Sequence, residues 1–302
     1  MEQVSYNTIL YEKDKKEPYI ASITLNRPEK NNAINIGPEK MTGELQDAIR
    51  RVDSDDEIKV VILKGAGENF STGFDLSEVY RVYGKEPEVR PHQNVRLRID
   101  EEQIVGFPRA IFNCKKVTIA QVHGWCIEGG IYPVECCDIA IAASNARFAH
   151  RGQRLAFGGM PFPIELFSGH TKKQQELLIT GRTISGKEAE EIGIITKAVP
   201  AKDLQGEVHS LAKAICLLPL DALVMGKMCR KHTYEALGIN SWMNMVVYHT
   251  LATNLTYRPD EKEAIFIRDR EEIGEREAFH KLHIMIEEAL NNTKYFRSYT
   301  GD

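Results

Sequence analysis

The sequence of 302 residues lacks the features that mark secreted, membrane-spanning or nucleic-acid-binding proteins. Its first residues contain no basic segment followed by an apolar one, and no run of eighteen apolar residues occurs in the chain. Lysine and arginine form no block, and the formal net charge is −4. A net negative surface gives no electrostatic reason to bind nucleic acid or an anionic membrane. These absences favour a soluble, cytoplasmic protein with neither partner.

Cysteine is present but in no pattern typical of metal binding. The six cysteines include no CxxC pair and no histidine at zinc-ligand spacing, and most lie in apolar stretches. Free cysteine is among the most buried residue types. We therefore predict reduced core thiols and no metal site.

Strand-like and helix-like segments alternate through the first two-thirds of the chain. Apolar runs at 8–13, 19–27 and 58–67 predict strands, and residues 38–53 have helical spacing, with Pro38 in the expected first turn. A helix over about 97–113 and further strands follow, at 116–124, 137–143, 146–150 and 194–200. This order predicts an α/β architecture with helices packed outside stacked sheets.

The last third of the sequence predicts helices only. Beyond the helices expected at 171–180 and 185–193, strand signals disappear from Leu218 onward. The stretches 218–237, 241–255 and 260–295 all have helical spacing, whereas the polar stretch 81–96 predicts a surface loop. We therefore divide the chain into a core over 1–205 and a helical oligomerisation region over 206–302, with an extension after about 274.

Two segments each combine a strand end, a glycine and a helix start. In NFSTGFDLSEV, Ser71-Thr72-Gly73 permits a tight turn and Asp75 stands at a helix start; in HGWCIEGGIYPVECCD, Gly129-Gly130 opens a helix. Amides at a helix start lack partners and attract negative charge, so two that converge can form an oxyanion hole. Each turn taken alone is more typical of a plain strand-to-helix connection.

Six separated motifs, in order, resemble the enoyl-CoA hydratase/isomerase (crotonase) superfamily. They are ITLNRPEKNNAIN, VVILKGAGENFSTGFDL, KVTIAQVHGWCIEGG, CDIAIAASNARFAH, LLITGRTISGKEAEEIGIITKAVP and EKEAIFIRDREEIG, and they cover about residues 5–274. The resemblance implies a crotonase fold, a spiral of repeated ββα units with a helical C-terminal region. It also implies a homotrimer or a dimer of trimers.

The resemblance further implies how an acyl-CoA substrate is held. Coenzyme A would enter as part of the substrate, and no separate cofactor is expected. Thr72 and Gly129 match the residues whose backbone N–H groups form the oxyanion hole. The positions that match coenzyme A contacts are Arg27, Lys30, Ala33, Thr72, Gly73, Phe74, Asp75 and Gly129.

The chain departs from the family at its two catalytic glutamates. Tyr132 occupies the first position and Gly152 the second, so the usual two-carboxylate hydration is in doubt. Tyr132 can donate a proton or orient water, or simply pack in the core. His150, on the loop that carries the second position, is suited to proton transfer near neutral pH or has a structural role.

Other residues near these positions carry further expectations. Glu128 would oppose a developing oxyanion if it faced inward, so we expect it to turn outward or to act on water. Arg154 is a weaker candidate that we expect to be solvated. The aromatic and sulfur side chains of the 155–163 stretch (Phe157, Met160 and Phe162) favour a bulky, apolar or cyclic acyl group.

Three functions remain open from the sequence. The first is an atypical enoyl-CoA hydratase-like enzyme that stabilises a thioester enolate and uses Tyr132 and His150 for hydration, dehydration or hydrolytic ring-opening. The second is a coenzyme A-independent C–C bond hydrolase of a cyclic β-diketone. The third is a non-catalytic protein that retains the fold.

We expect the extension after Ile273 to pack across a subunit contact.

Overall fold

A six-stranded sheet lies at the centre of the fold. The computed structural model describes residues 5–78, 92–155, 171–241 and 265–301. The strands of the sheet are β1 (Ile9–Lys13), β2 (Ile20–Leu25), β3 (Val60–Gly65), β4 (Val117–Val122), β6 (Ile139–Ala143) and β9 (Lys197–Val199). They lie in the order β1-β2-β3-β4-β6-β9, with β1 and β2 antiparallel and every other neighbouring pair parallel.

The central strands of this sheet are apolar without alternation. In β3 and β4 the side chains of both faces are buried over the first four residues. A parallel strand with helices on both sides requires this pattern, because neither face meets water. The predicted strands at 58–67 and 116–124 are therefore confirmed.

A smaller sheet of three strands completes the repeating unit. Its strands are β5 (Trp125–Ile127), β7 (Arg147–Ala149) and β8 (Ile184–Ser185), in the order β5-β7-β8. In sequence, β4 turns into β5 and β6 turns into β7, so the chain passes repeatedly from the large sheet to the small one. This alternation is the expected spiral of ββα units.

Helices cover the sheets and form the C-terminal region. In the described part of the chain they are α1 (Met41–Ser54), α2 (Gln93–Ile99), α3 (Gly106–Asn113), α4 (Tyr132–Cys136), α5 (Thr171–Thr180), α6 (Gly186–Glu191), α7 (Leu204–Cys216), α8 (Leu220–Ala236), α9 (Ile265–Ile273) and α10 (Glu275–Asn291). None of them alone is long and apolar enough to cross a membrane; α7 and α8 meet that test only together, as a pair bent by 103°.

Two predicted boundaries are wrong. Helix α1 begins at Met41, where Asn35 Oδ1 accepts the Met41 N–H at 2.9 Å, so Pro38 precedes the helix. Residues 93–96 belong to α2 and are not loop. The Arg96 side chain is fully buried there. The remainder of that predicted loop, 81–91, lies outside the described residues.

The C-terminal helices pack on their own chain. Helices α9 and α10 pack against each other and against the 3₁₀ turn Gly152–Leu155. Arg154 in that turn forms an ion pair with Glu287 of α10 at 2.8 Å. The extension is therefore joined to the core close to the predicted catalytic position.

Some predictions fall outside the described residues. These are most of the helix at 241–255 and the 156–163 part of the proposed acyl pocket, with Phe157, Met160 and Phe162.

The packing of α10 predicts an acid-sensitive contribution to stability at His283. Burial and the positive charge of Arg151 lower the pKa of His283 from 6.5 to about 4. The folded state thus favours the neutral ring, and as the pH falls below 6.5 the unfolded chain takes up a proton first. Stability from this residue is present above the unfolded pKa and is lost between about pH 6.5 and pH 4.

Thermal unfolding across this pH range tests the contribution. The melting temperature of wild type should fall more between pH 7 and pH 5 than that of His283→Gln, which keeps a hydrogen-bond acceptor. His232→Gln, at a side chain 77% exposed, is the control and should follow wild type. Parallel curves for wild type and His283→Gln would contradict the assignment.

Candidate active site

The loop after β2 is built around a buried asparagine. Asn31 and Asn32 both adopt left-handed backbone, which asparagine tolerates better than most residues. The Asn32 Oδ1 accepts the Arg27 N–H at 2.9 Å, and its Nδ2 donates to Ala66 O and Asn69 O at 2.8 Å. One side chain thus holds this loop against the end of β3.

Three of the predicted coenzyme A residues lie together. Arg27 Nη1 donates to Ala33 O at 2.5 Å, and Arg27 Nη2 pairs with Asp75 Oδ2 at 3.1 Å. Burial alone would raise the pKa of Asp75, but hydrogen bonds from Ser77 and Arg27 outweigh it and lower that pKa. The ion pair joins the loop after β2 to the loop after β3, whereas Lys30 is exposed on the adjacent turn.

The loop after β3 turns at Gly73, which has a φ of +85°. The structure contradicts the expected donor role of Thr72, because the Thr72 N–H already donates to Asn31 O at 3.1 Å. The Gly73 N–H donates to Ser71 Oγ at 3.2 Å, and the Asp75 N–H donates to Ile34 O at 2.8 Å. The N–H of Phe74, between them, has no acceptor among the described residues.

The loop after β5 lies directly against this turn. Ser71 exchanges backbone hydrogen bonds with Trp125 and Ile127, at 2.9 and 3.0 Å. A Cβ on Gly73 would lie 2.7 Å from Ile127 O and 3.4 Å from Gly129 N. In the described part of the chain, the Gly129 N–H also lacks an acceptor. The two glycine turns therefore converge, with the uncommitted amides at Phe74 and Gly129.

The carboxylate of Glu128 lies against Gly152, the residue that the sequence resemblance puts at the second catalytic position. A Cβ placed on Gly152 would overlap Glu128 Oε1, and Glu128 Oε2 lies 3.3 Å from His150 Nδ1. Glu128 reaches this place from a left-handed backbone, with a φ of +47°. Such a conformation in a residue other than glycine is costly and often marks a functional site. The structure thus pairs Glu128 with His150.

Tyr132 lies between the glycine turns and the Glu128–His150 pair, in contact with Phe74 and His150. It is 4% exposed, and its ring centroid is 6.2 Å from that of Phe74 and 6.3 Å from that of His150. The Tyr132 and His150 rings are inclined by 28°. Tyr132 consequently contributes to the core and to the site wall at once.

Two buried or partly buried arginines, Arg151 and Arg154, follow His150 in the chain. Burial and the neighbouring Arg154 charge lower the pKa of Arg151 to about 10, so it stays cationic at neutral pH. Its Nη2 donates to Thr183 Oγ1 at 3.0 Å, and its guanidinium lies 5.3 Å from the Trp125 ring centroid. Arg154 is only 6% exposed and is ion-paired, which corrects the expectation of a solvated side chain.

The converging turns and the two-sheet spiral together define a crotonase-type enzyme fold. The sequence matches the enoyl-CoA hydratase/isomerase family over residues 15–252. It is 32% identical over 232 residues to the hydroxycinnamoyl-CoA hydratase-lyase of Pseudomonas fluorescens, which covers 72% of this chain and 79% of the relative. The chain belongs to the enoyl-CoA hydratase/isomerase family.

Solved structures agree with this assignment. An enoyl-CoA hydratase of Mycobacterium smegmatis superposes with a TM-score of 0.80 at 27% identity, over 99% of both chains. An enoyl-CoA hydratase/isomerase of Xanthobacter autotrophicus Py2 superposes with a TM-score of 0.77 at 27% identity, over 93% of this chain and 99% of its own.

The convergence of the turns predicts a large cost for a methyl group at Gly73. Gly73→Ala forces alanine into positive φ and against Ile127 O, so the free energy of unfolding should fall by about 1–3 kcal/mol. Gly206→Ala, on α7 with nothing within 4 Å of its Cβ, is the matched control. It should raise that free energy by about 0.4–1 kcal/mol. Urea unfolding measures both, and equal shifts would show that the Gly73 turn is not constrained.

Proposed function

We propose that this protein is an enoyl-CoA hydratase-like enzyme in which Glu128 replaces the missing glutamate pair. The observation that carries the proposal is the position of the Glu128 carboxylate, against Gly152 and 3.3 Å from His150 Nδ1. The substrate is an acyl-CoA thioester with a C2=C3 double bond, and the reaction adds water across that bond.

The thioester oxygen is held by the N–H groups of Phe74 and Gly129. Both amides lie on the converging turns and lack acceptors within the described part of the chain. As electrons move from the double bond to this oxygen, both hydrogen bonds strengthen. Each donor of this kind contributes about 3–4 kcal/mol of transition-state stabilisation. Thr72 supports the turn through its bond to Asn31.

Glu128 transfers the proton and His150 holds Glu128 in place. The Glu128 side chain is 19% exposed and that of His150 is 6% exposed, so the carboxylate is the group more open to water. It accepts a proton as the water oxygen bonds to C3 and the enolate forms. The Glu128 carboxyl group then returns the proton to C2, so that OH and H from water are both accounted for. Tyr132 orients the water from the site wall.

Coenzyme A binds along the loops after β2 and β3. The ion pair of Arg27 with Asp75 holds these loops together, and Ala33 accepts from the same arginine. Exposed Lys30 is available to a phosphate group, and the 72–75 backbone lies beside the thioester. The hydratase-lyase of Pseudomonas fluorescens, whose name specifies a hydroxycinnamoyl-CoA substrate, supports this substrate class.

Hydrolysis of a C–C bond in a cyclic β-diketone is the second candidate. The observation that favours it is the histidine–carboxylate pair, since such a pair can also activate water for attack on a carbonyl carbon. Mass spectrometry of the product from a linear enoyl-CoA and from a free cyclic diketone distinguishes the two reactions.

Substitution of Glu128 tests the proton transfer. Glu128→Gln keeps the size of the side chain but removes its basicity, so kcat should fall by about 10²–10⁴-fold while folding is retained. Glu191→Gln, at an exposed carboxylate, is the control and should keep full activity. Hydration of enoyl-CoA thioesters is followed by loss of absorbance of the conjugated double bond. Full activity in Glu128→Gln would exclude Glu128 as the base.

Moving the carboxylate back to the family position gives a second test. Gly152→Glu alone brings a side chain onto the Glu128 carboxylate and should impair both folding and activity. The double variant Glu128→Gly, Gly152→Glu removes that overlap, and glycine accepts the positive φ at position 128. We expect it to recover more than about a tenth of the wild-type kcat, since a carboxylate again faces the site. Activity no higher than that of Glu128→Gly alone would contradict the replacement.

A further inference from the structure

The C-terminal segment contacts the elements on both sides of the site. It follows the part of the chain that matches the family, which ends at residue 252. Phe266 of α9 and Ala278 of α10 are buried in a small cluster with Leu76, the residue after Asp75. The same two helices reach the 3₁₀ turn that follows His150. The segment thus contacts both the loop after β3 and the turn after β7.

The contact with the turn is polar and buried. Arg154 Nη1 donates to Glu287 Oε1 and to His283 Nδ1, both at 2.8 Å. Arg154 Nε and Nη2 donate to Thr180 O at 3.1 and 2.8 Å. Since Arg154 is only 6% exposed, its positive charge depends on Glu287 for compensation.

Arg154 is connected to His150 through the backbone of the turn that both belong to. The Arg154 N–H donates to Arg151 O at 3.1 Å, which closes the turn. A Cβ on Gly181 would lie 2.7 Å from both His150 O and Arg154 Nε, so the histidine carbonyl and the guanidinium pack on one glycine. Arg154 and the residue that pairs with Glu128 are therefore packed in one turn.

Residues 298–300 form further hydrogen bonds with the region around this turn. Thr183 N donates to Ser298 Oγ at 3.2 Å, and the Tyr299 N–H donates to Thr183 O at 2.9 Å. Thr183 Oγ1 in turn accepts from Arg151 Nη2. Arg147 Nη2 donates to Thr300 O at 3.2 Å. Residues 283–300 therefore bond to Arg147, Arg154 and Thr183, while Arg151 is reached through Thr183.

We propose that Glu287 is a positioning residue for the reaction: through Arg154 it fixes the 150–154 turn and so holds the His150–Glu128 pair in register with the two amides. The expected effect on turnover rests on the proposed function, whereas the expected effect on hydrogen exchange in the turn does not. The C-terminal segment thus supplies, from beyond residue 252, part of the support for the site.

The experiment combines steady-state kinetics with hydrogen–deuterium exchange on the full-length protein. Glu287→Gln removes the charge and keeps the shape, whereas Glu287→Asp keeps the charge and should partly restore the wild-type behaviour. Glu288→Gln, at the adjacent exposed residue of α10, is the matched control. Arg154→Lys is a second variant that keeps the charge but loses donors.

The expected result is local and selective. In Glu287→Gln, exchange of amides in residues 147–155 should rise about fivefold or more. The value of kcat should fall by about tenfold, with KM changed by less than about twofold. Arg154→Lys should show the same pattern, and Glu288→Gln should match wild type in both measurements.

The two measurements separate failure of this proposal from failure of the proposed function. Unchanged exchange at 147–155 in Glu287→Gln overturns the positioning role, whatever the activity. If wild type turns over no enoyl-CoA while exchange in that segment rises, the positioning role stands and the proposed reaction fails. A fall in kcat equal in Glu287→Gln and Glu288→Gln also overturns the proposal.

Discussion

The close contact between the two glycine turns is the constraint on which the site depends. Gly73 adopts a backbone that few other residues accept, and Gly129 has the Phe74 ring where a Cβ would stand, 2.7 Å away. Backbone bonds from Ser71 to the neighbouring strand hold the turns at this distance. The parallel pairing of β3 with β4 brings both turns to the same edge of the sheet. Two amides are left with unused donors there, the requirement for stabilising an oxyanion.

The placement of the carboxylate follows from the same contact. Glu128 immediately precedes one of these amides, and its positive φ sends the side chain toward Gly152 and His150. Gly152 leaves room for the carboxylate as it stands, because a Cβ there would overlap Glu128 Oε1. The left-handed backbone at Glu128 costs about 1–2 kcal/mol, which the hydrogen bond to His150 partly offsets.

Much of the architecture could be predicted from the sequence, but the details of the site could not. Apolar runs such as that of β3 predict buried strands because they are short, contain β-branched residues and end at a glycine. The turn at Gly73 could also be predicted from the sequence. Which backbone N–H it leaves free could not, because this depends on Asn31 O lying opposite the N–H of Thr72 and not that of Phe74. His150, which pairs with Glu128, lies 22 residues away in the sequence. The helical spacing of α10 likewise does not indicate which surface that helix covers.

The central claim is that the N–H groups of Phe74 and Gly129 together hold the thioester oxygen. Raman difference spectroscopy of a bound enoyl-CoA, labelled with ¹³C at the thioester carbonyl, measures this directly, because hydrogen bonds to that oxygen weaken the C=O bond. We predict that the carbonyl band moves to lower frequency on binding to wild type, and that the shift is lost in Gly129→Ala, whose added methyl group displaces the Phe74 ring. A bound thioester whose carbonyl band stays at its solution frequency in wild type would contradict the account.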